Sequence, residues 1–161
     1  MSSADKNLSD FQIAQSEKSA SARYALVVSK WNDQITDALR EGAYSTLLQG
    51  GVAKENIEQM EVPGSFELSL GAQWMAKRDD IDAVICLGCV IQGETKHFDF
   101  ICDAVANGTT NVSLKYDKPV IFGVLTPNTM KQALDRAGGR HGNKGDEAAA
   151  TALQMVAVSP Q

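Results

Sequence analysis

No apolar run in the chain approaches the ~20 residues that cross a bilayer, so no transmembrane helix is expected. Basic residues are not in excess. Against 20 Asp and Glu stand 15 Lys and Arg, a formal net charge of -5, which argues against a general nucleic-acid binder. There is no G-x-G-x-x-G after the first strand-like segment and no Walker motif, which disfavours an enzyme built on a nucleotide cofactor. The two histidines, His97 and His141, are too few for a zinc site, and no metal-ligand spacing accompanies them. Residues 1–22 are polar and hold no apolar signal core, so secretion is not expected; they read as a mobile arm, or as a strand that orders only against a neighbour. Cysteine is scarce and odd in number: Cys86, Cys89 and Cys102, which points to reduced thiols and a cytoplasmic protein. Cys86 and Cys89 spell C-x-x-C, yet they fall on an expected strand, where an offset of three sends the sulfurs to opposite faces.

What is present is ordinary for one globular domain: 161 residues, 43% hydrophobic and 22% charged, with residues 23–161 as the folded unit. Four segments read as strands buried on both faces: YALVVS (Tyr24–Ser29), IEQMEV (Ile57–Val62), AVICLGCVI (Ala83–Ile91) and PVIFGVL (Pro119–Leu125). Helical patterns separate them. Ile35, Ala38, Leu39, Ala43 and Leu47 form a stripe between Asp33 and Gln49. A second helix is expected from Phe66 to Lys77. A third starts near His97 and runs past Ala106, with Gly108 weakening its middle. Thr126 and Pro127 read as a cap and first turn, and the last helix spans about Lys144 to Val158, opening with Asp146 and Glu147. The order predicts an α/β fold, a flavodoxin-like three-layer sandwich with a four-stranded parallel sheet flanked by helices.

In such sheets ligands bind beyond the carboxyl ends of the strands, and each strand here ends in an unusual cluster: SKWND, VPGSFEL, IQGETKHFD and LTPN. GETKH places a glycine, free backbone N–H groups and a hydroxyl at an expected helix start; this suits an anion such as phosphate, and equally suits plain capping by Thr95. His97 has the residue type to move protons near neutral pH. Trp31 either stacks on a flat heterocycle or packs on the following helix. Pro63 and Gly64 bring the backbone of Ser65 and Phe66 towards a planar ligand, or simply turn the chain. GGRHGNKG reads as a solvated hinge between two helices.

Five segments, VVSKWN, VPGSFEL, LGCVIQGETKHFD, PVIFGVLTPNTMKQALDRAGG and GNKGDEAAATALQM, stand in the order and spacing of the lumazine synthase family, and from Tyr24 to Met155 the chain resembles it. The resemblance implies condensation of 5-amino-6-(D-ribitylamino)uracil with 3,4-dihydroxy-2-butanone 4-phosphate, with no metal and no organic cofactor. It implies that Trp31 stacks on the pyrimidine, with Asn32 and Gly64 in the same binding set. Ser65, Phe66 and Glu67 would hold the ribityl chain and ring edge, and Val90 and Ile91 would line the pocket. Gly93, Glu94 and Thr95 would meet the substrate phosphate, and His97 would shuttle protons. Phe122 would close the pocket from an adjacent subunit, Arg136 would bind phosphate and Lys144 would lie nearby. Lys30 stands where the family usually has arginine, Trp31 where phenylalanine is more usual, and Gln92 where arginine is common. The family also forms pentamers, and the short GGRHGNKG turn resembles that of members whose twelve pentamers close into a shell. A flavin-binding protein without turnover and an inert shell protein are the other readings of the same segments.

Overall fold

Each apolar strand has two faces to cover and each amphipathic helix one stripe to bury, so alternating them favours helices stacked on both sides of a sheet. The computed structural model describes Asn7, Ser9, Phe11, Ile13 and residues 16–160. The elements are α1 (Glu17–Ser21), β1 (Tyr24–Ser29), α2 (Asp33–Gln49), β2 (Ile57–Val62), α3 (Leu68–Ala76), β3 (Ala83–Cys89), α4 (His97–Tyr116), β4 (Val120–Leu125), α5 (Met130–Asp135), β5 (Ala137–Gly139), β6 (Gly142–Asn143) and α6 (Lys144–Val158). β1 to β4 form one parallel sheet in the order β2-β1-β3-β4. The expected three-layer architecture is therefore present.

Strand alternation divides the core in two. On one face, Tyr24, Leu26, Val28, Ile85 and Leu87 meet Ile35, Leu39 and Leu47 of α2 and Leu153 of α6. On the other, Val27, Val84 and Cys86 meet Leu68 and Ala72 of α3 and Val105 and Val112 of α4. Cys86 and Cys89 fall into different cores, as the offset of three requires. Burial pushes both thiols up to about 12, so both stay protonated at neutral pH. No helix among the described residues is long and apolar enough to cross a membrane.

The N-terminal arm falls mostly outside the described residues, but its last turn, α1, is seated on the body. Ser16 and Ser19 form a reciprocal capping box, and the Tyr24 hydroxyl donates to the Ser19 carbonyl at 2.9 Å.

Several local expectations are corrected. β2 is not buried on both faces. It is the sheet edge, where Gln59 and Glu61 are exposed and only Ile57 and Val62 are buried. β4, at the other edge, is only half-buried from Val120 to Phe122. β3 stops at Cys89, which releases Val90 and Ile91 to the rim. A 3-10 turn, Ser65–Glu67, precedes α3, so the helix starts later than Phe66. α5 does not start at Thr126. The Pro127 carbonyl accepts the Gln92 N–H at 2.9 Å, holding that stretch beside the β3 exit, and Thr129 caps the helix by accepting from the Gln132 N–H. α4 runs unbroken through Gly108 to Tyr116. GGRHGNKG is not an open loop. β5 and β6 pair as a small antiparallel hairpin, with Gly138 and Gly142 at φ 98 and 79, where glycine is favoured.

Candidate active site

The strand order reverses between β1 and β3: from β1 the chain builds outward first to β2, then returns to the other side. The two carboxyl ends that face each other there leave a crevice that neither crossover covers. The register keeps these ends level, with Val28 beside Leu87 and Gly88 beside Val124.

Backbone hydrogen bonds lace the emerging loops together. The Lys30 N–H donates to the Val62 carbonyl at 2.8 Å and the Trp31 N–H to the Pro63 carbonyl at 3.1 Å. On the other side, the Val90 N–H donates to the Leu125 carbonyl at 2.8 Å. Asn32 ties the two sides. It adopts φ 63, ψ 47, a left-handed turn that asparagine tolerates better than most residues. From that turn its Nδ2 donates to the Cys89 carbonyl at 2.9 Å. These bonds hold the rim loops around a cleft of about 770 Å³.

Three loops line it. The first supplies Trp31 and Asn32; the second supplies Pro63, Gly64, Ser65, Phe66 and Glu67. The third supplies Cys89, Val90, Ile91, Gly93 and Thr95, then His97, Phe98 and Ile101 from the start of α4. Trp31 is 73% exposed and Phe66 55%, so Trp31 does not pack on α2; two aromatic faces stand open at one cleft. Such surface is costly to leave in water and suits a planar ligand. Ser65, by contrast, is buried in the floor, and the Glu67 carboxylate lies over Gly64, close enough that a Cβ there would stand 3.1 Å from it.

The anionic end is built differently. A Cβ at Gly93 would meet nothing within 4 Å, so packing does not require the glycine; it leaves the backbone accessible. α4 begins at His97 with no side-chain cap on Lys96, and the Thr95 Oγ1 accepts from the His97 N–H at 3.4 Å. Thr95 is thus a long, weak cap. The Asp99 and Phe100 N–H groups close back on the Lys96 carbonyl at 3.0 and 3.3 Å, so the first turn brings the weakly held His97 N–H, that of Phe98 and the positive end of the dipole of a 20-residue helix to the cleft. Glu94 is exposed and does not line the cavity. Cys89 does line it, and burial pushes its thiol up to about 12, so it is protonated at neutral pH.

A family model for 6,7-dimethyl-8-ribityllumazine synthase matches residues 21–159. The chain belongs to this family. A 6,7-dimethyl-8-ribityllumazine synthase of Cytophaga hutchinsonii is 61% identical over 157 residues, covering 98% of both chains. The enzymes of that name from Parabacteroides distasonis and Flavobacterium johnsoniae are 50% and 47% identical, covering 99% and 100% of this chain and 99% and 85% of their own.

In this lumazine synthase family member, four expected site residues do not line the cleft: Glu94 at its rim, and three that lie away from it. Phe122 is on the half-exposed start of β4, against the α3–α4 core. Arg136 ends α5, and its carbonyl accepts the Lys144 N–H at 2.9 Å, so Arg136 and Lys144 are neighbours, as expected. The Lys144 ammonium is bound to Glu147 at 2.7 Å. Pro63, Cys89, Phe98 and Ile101 were not foreseen as lining residues. Phe98 and Ile101 had a signal: they follow His97 by one and four positions, and on a helix Ile101 shares its face.

Proposed function

We propose that the cleft between β1 and β3 is where this chain carries out the reaction of its family. That reaction condenses 5-amino-6-(D-ribitylamino)uracil with 3,4-dihydroxy-2-butanone 4-phosphate to 6,7-dimethyl-8-ribityllumazine, releasing phosphate and two waters, in riboflavin biosynthesis. The observation that carries the placement is the meeting of two open aromatic faces, Trp31 and Phe66, with the weakly capped start of α4 in one cavity.

The pyrimidine stacks on Trp31, with its ribityl chain over Gly64, Ser65, Phe66 and Glu67. Asn32 holds the Trp31 turn, and Val90 and Ile91 shape the apolar wall. The phosphate of the second substrate rests at Gly93 and Thr95 by their backbone N–H groups, with the Glu94 side chain turned out to solvent. The substrate amine then attacks the ketone and water leaves to form an imine. Phosphate leaves by elimination. Tautomerisation, ring closure and loss of a second water complete the lumazine. His97, on the first turn of α4, carries protons between these steps. Most of the acceleration comes from holding two substrates in reacting geometry.

Phe122, Arg136 and Lys144 serve the cleft of a neighbouring subunit. Two features support this: they stand apart from the cleft of their own chain, and large apolar side chains, among them Leu70, Trp74, Leu114 and Val158, are exposed. The working unit is then a pentamer, with a sixty-subunit shell favoured by the uninterrupted β5–β6 turn. Three unpaired thiols support a cytoplasmic site of action.

Mixing the purified protein with both substrates and following lumazine fluorescence tests the reading. Enzyme-dependent product, formed more slowly on substitution of His97, supports it. Tight flavin binding without turnover, or intact particles inert to both substrates, would overturn it. Light scattering reads the assembly; an active monomer would reject the shared pocket.

A further inference from the structure

Ser29 is the last residue of β1 and is fully buried; Ser65 opens the turn before α3 and is 6% exposed. Neither Oγ has a hydrogen-bond partner among the described residues. A buried hydroxyl without a partner is destabilising, and an alanine at either place would avoid that cost. The two hydroxyls also converge. A Cβ built on Gly88 would lie 2.7 Å from the Ser65 Oγ, 3.4 Å from the Ser29 Oγ and 2.8 Å from the Leu68 side chain. Only glycine at this point of β3 leaves both hydroxyls their room. Ser65 lines the cleft, whereas Ser29 lies behind it.

A third unpartnered hydroxyl, Ser69, shows the contrast. It abuts Gly108 where α3 crosses α4, and it lines no part of the cleft. Ser69 is in a helix crossing; Ser29 and Ser65 both border Gly88, and Ser65 lines the cleft.

We propose that Ser29 is a positioning residue acting through Ser65 on the hydroxylated side chain of the pyrimidine substrate. When that chain lies on the floor of the cleft, Ser65 turns to donate its O–H to a substrate hydroxyl, and its oxygen accepts from the Ser29 O–H. Each bond polarises the next, so the pair binds a polyol more strongly than Ser65 alone. The substrate hydroxyl gives Ser65 a partner in the cleft, and Ser65 in turn gives one to Ser29. The inference rests on the proposed placement of the ribityl chain.

Steady-state kinetics on the assembled protein test it with Ser29→Ala, Ser65→Ala and the double variant. Ser29→Ala should raise KM for the ribitylaminopyrimidine about three- to tenfold, the range for one net hydrogen bond, and leave KM for the four-carbon phosphate unchanged. Its Tm should hold or rise, because an unpaired buried hydroxyl has gone. In the Ser65→Ala background the Ser29 substitution should have no further effect. An unchanged pyrimidine KM overturns the relay, as do full additivity and an equal loss for both substrates with a lowered Tm. Should Ser29→Ala fail to assemble, Ser29→Cys keeps the volume with a weaker donor and must show the same selective rise in KM. Wild-type protein that makes no lumazine would overturn the proposed function itself; active protein with an indifferent Ser29 overturns only the relay.

Discussion

Replacing Gly108 by alanine sets two effects of opposite sign against each other. In the interior of a helix, alanine is favoured over glycine by ~1 kcal/mol. On propensity alone the substitution would stabilise α4. The crossing with α3 opposes it. A Cβ at Gly108 would lie 2.1 Å from the Ser69 Oγ and 2.6 Å from the Ser69 Cβ. The hydroxyl can rotate away; the Cβ cannot, because the α3 backbone fixes it. Restoring an ordinary 3.4 Å contact from 2.6 Å requires the helices to part by about 0.8 Å. That loosens the core of Leu68, Ala72, Val105 and Val112 between them. Overpacking costs roughly 1–3 kcal/mol; because the obstructing atom is held by backbone, the upper part of that range, about 2–3 kcal/mol, applies, and after the ~1 kcal/mol propensity gain the net effect should be a loss of about 1–2 kcal/mol. Thermal unfolding should fall by about 3–6 °C. The cleft should widen as well, because Ser65 and Phe66 lie just before α3 and His97 opens α4; kcat/KM should drop about tenfold from misplaced groups. Combining Gly108→Ala with Ser69→Gly removes the obstructing Cβ and should recover part of the stability. A single variant at least as stable as wild type, or a double variant no better than the single one, would refute the account.

His97 is exposed at the start of α4, so His97→Ala should leave thermal stability unchanged while lowering kcat about tenfold to a hundredfold, at the low side of acid–base effects because imine chemistry also runs unaided; an unchanged kcat at every pH would sink the role. Arg136→Ala should weaken the phosphorylated substrate by about 2–3 kcal/mol, as for a charge-assisted bond, and spare pyrimidine binding; equal loss for both would make Arg136 structural. Burial raises the Cys86 and Cys89 thiols from an ordinary 9.0 to about 12. The unfolded chain therefore releases these protons first, and urea-melt stability should fall as pH rises above about 9, with no contribution below it. Thiol reagents should reach the half-buried Cys102 before the other two, as seen by mass spectrometry of the folded protein.

Residue patterns close together in the chain were legible without coordinates. Leu39, Ala43 and Leu47 repeat at helical spacing, and Tyr24–Ser29 is unbroken apolar chain but for its ends, so the kind and order of these elements followed from local periodicity. The clusters SKWND, VPGSFEL and GETKH were legible as rim segments because they interrupt such patterns abruptly. Cys86 and Cys89 were separable because strand alternation alone sends them apart. Glu58 to Glu61, in contrast, show no such continuity, and whether β2 lay inside the sheet or on its edge depended on what paired beside it.

By itself, then, the sequence determined the elements, their parallel arrangement and the residue types at each strand exit, all set by steric periodicity within a few positions. Tertiary structure alone decided the rest. The order β2-β1-β3-β4 opens the cleft between Trp31 and Val90. The bond from Gln92 to Pro127 overrode a good helix start at Thr126. The α3 crossing turned Gly108 from a weak point of α4 into the contact that lets two helices meet, and Gly88 left room where the Ser29 and Ser65 hydroxyls both approach it. The physical reason is the same in each case: propensity acts along the chain, whereas these choices rest on contacts between segments tens of residues apart, whose energies local sequence does not contain.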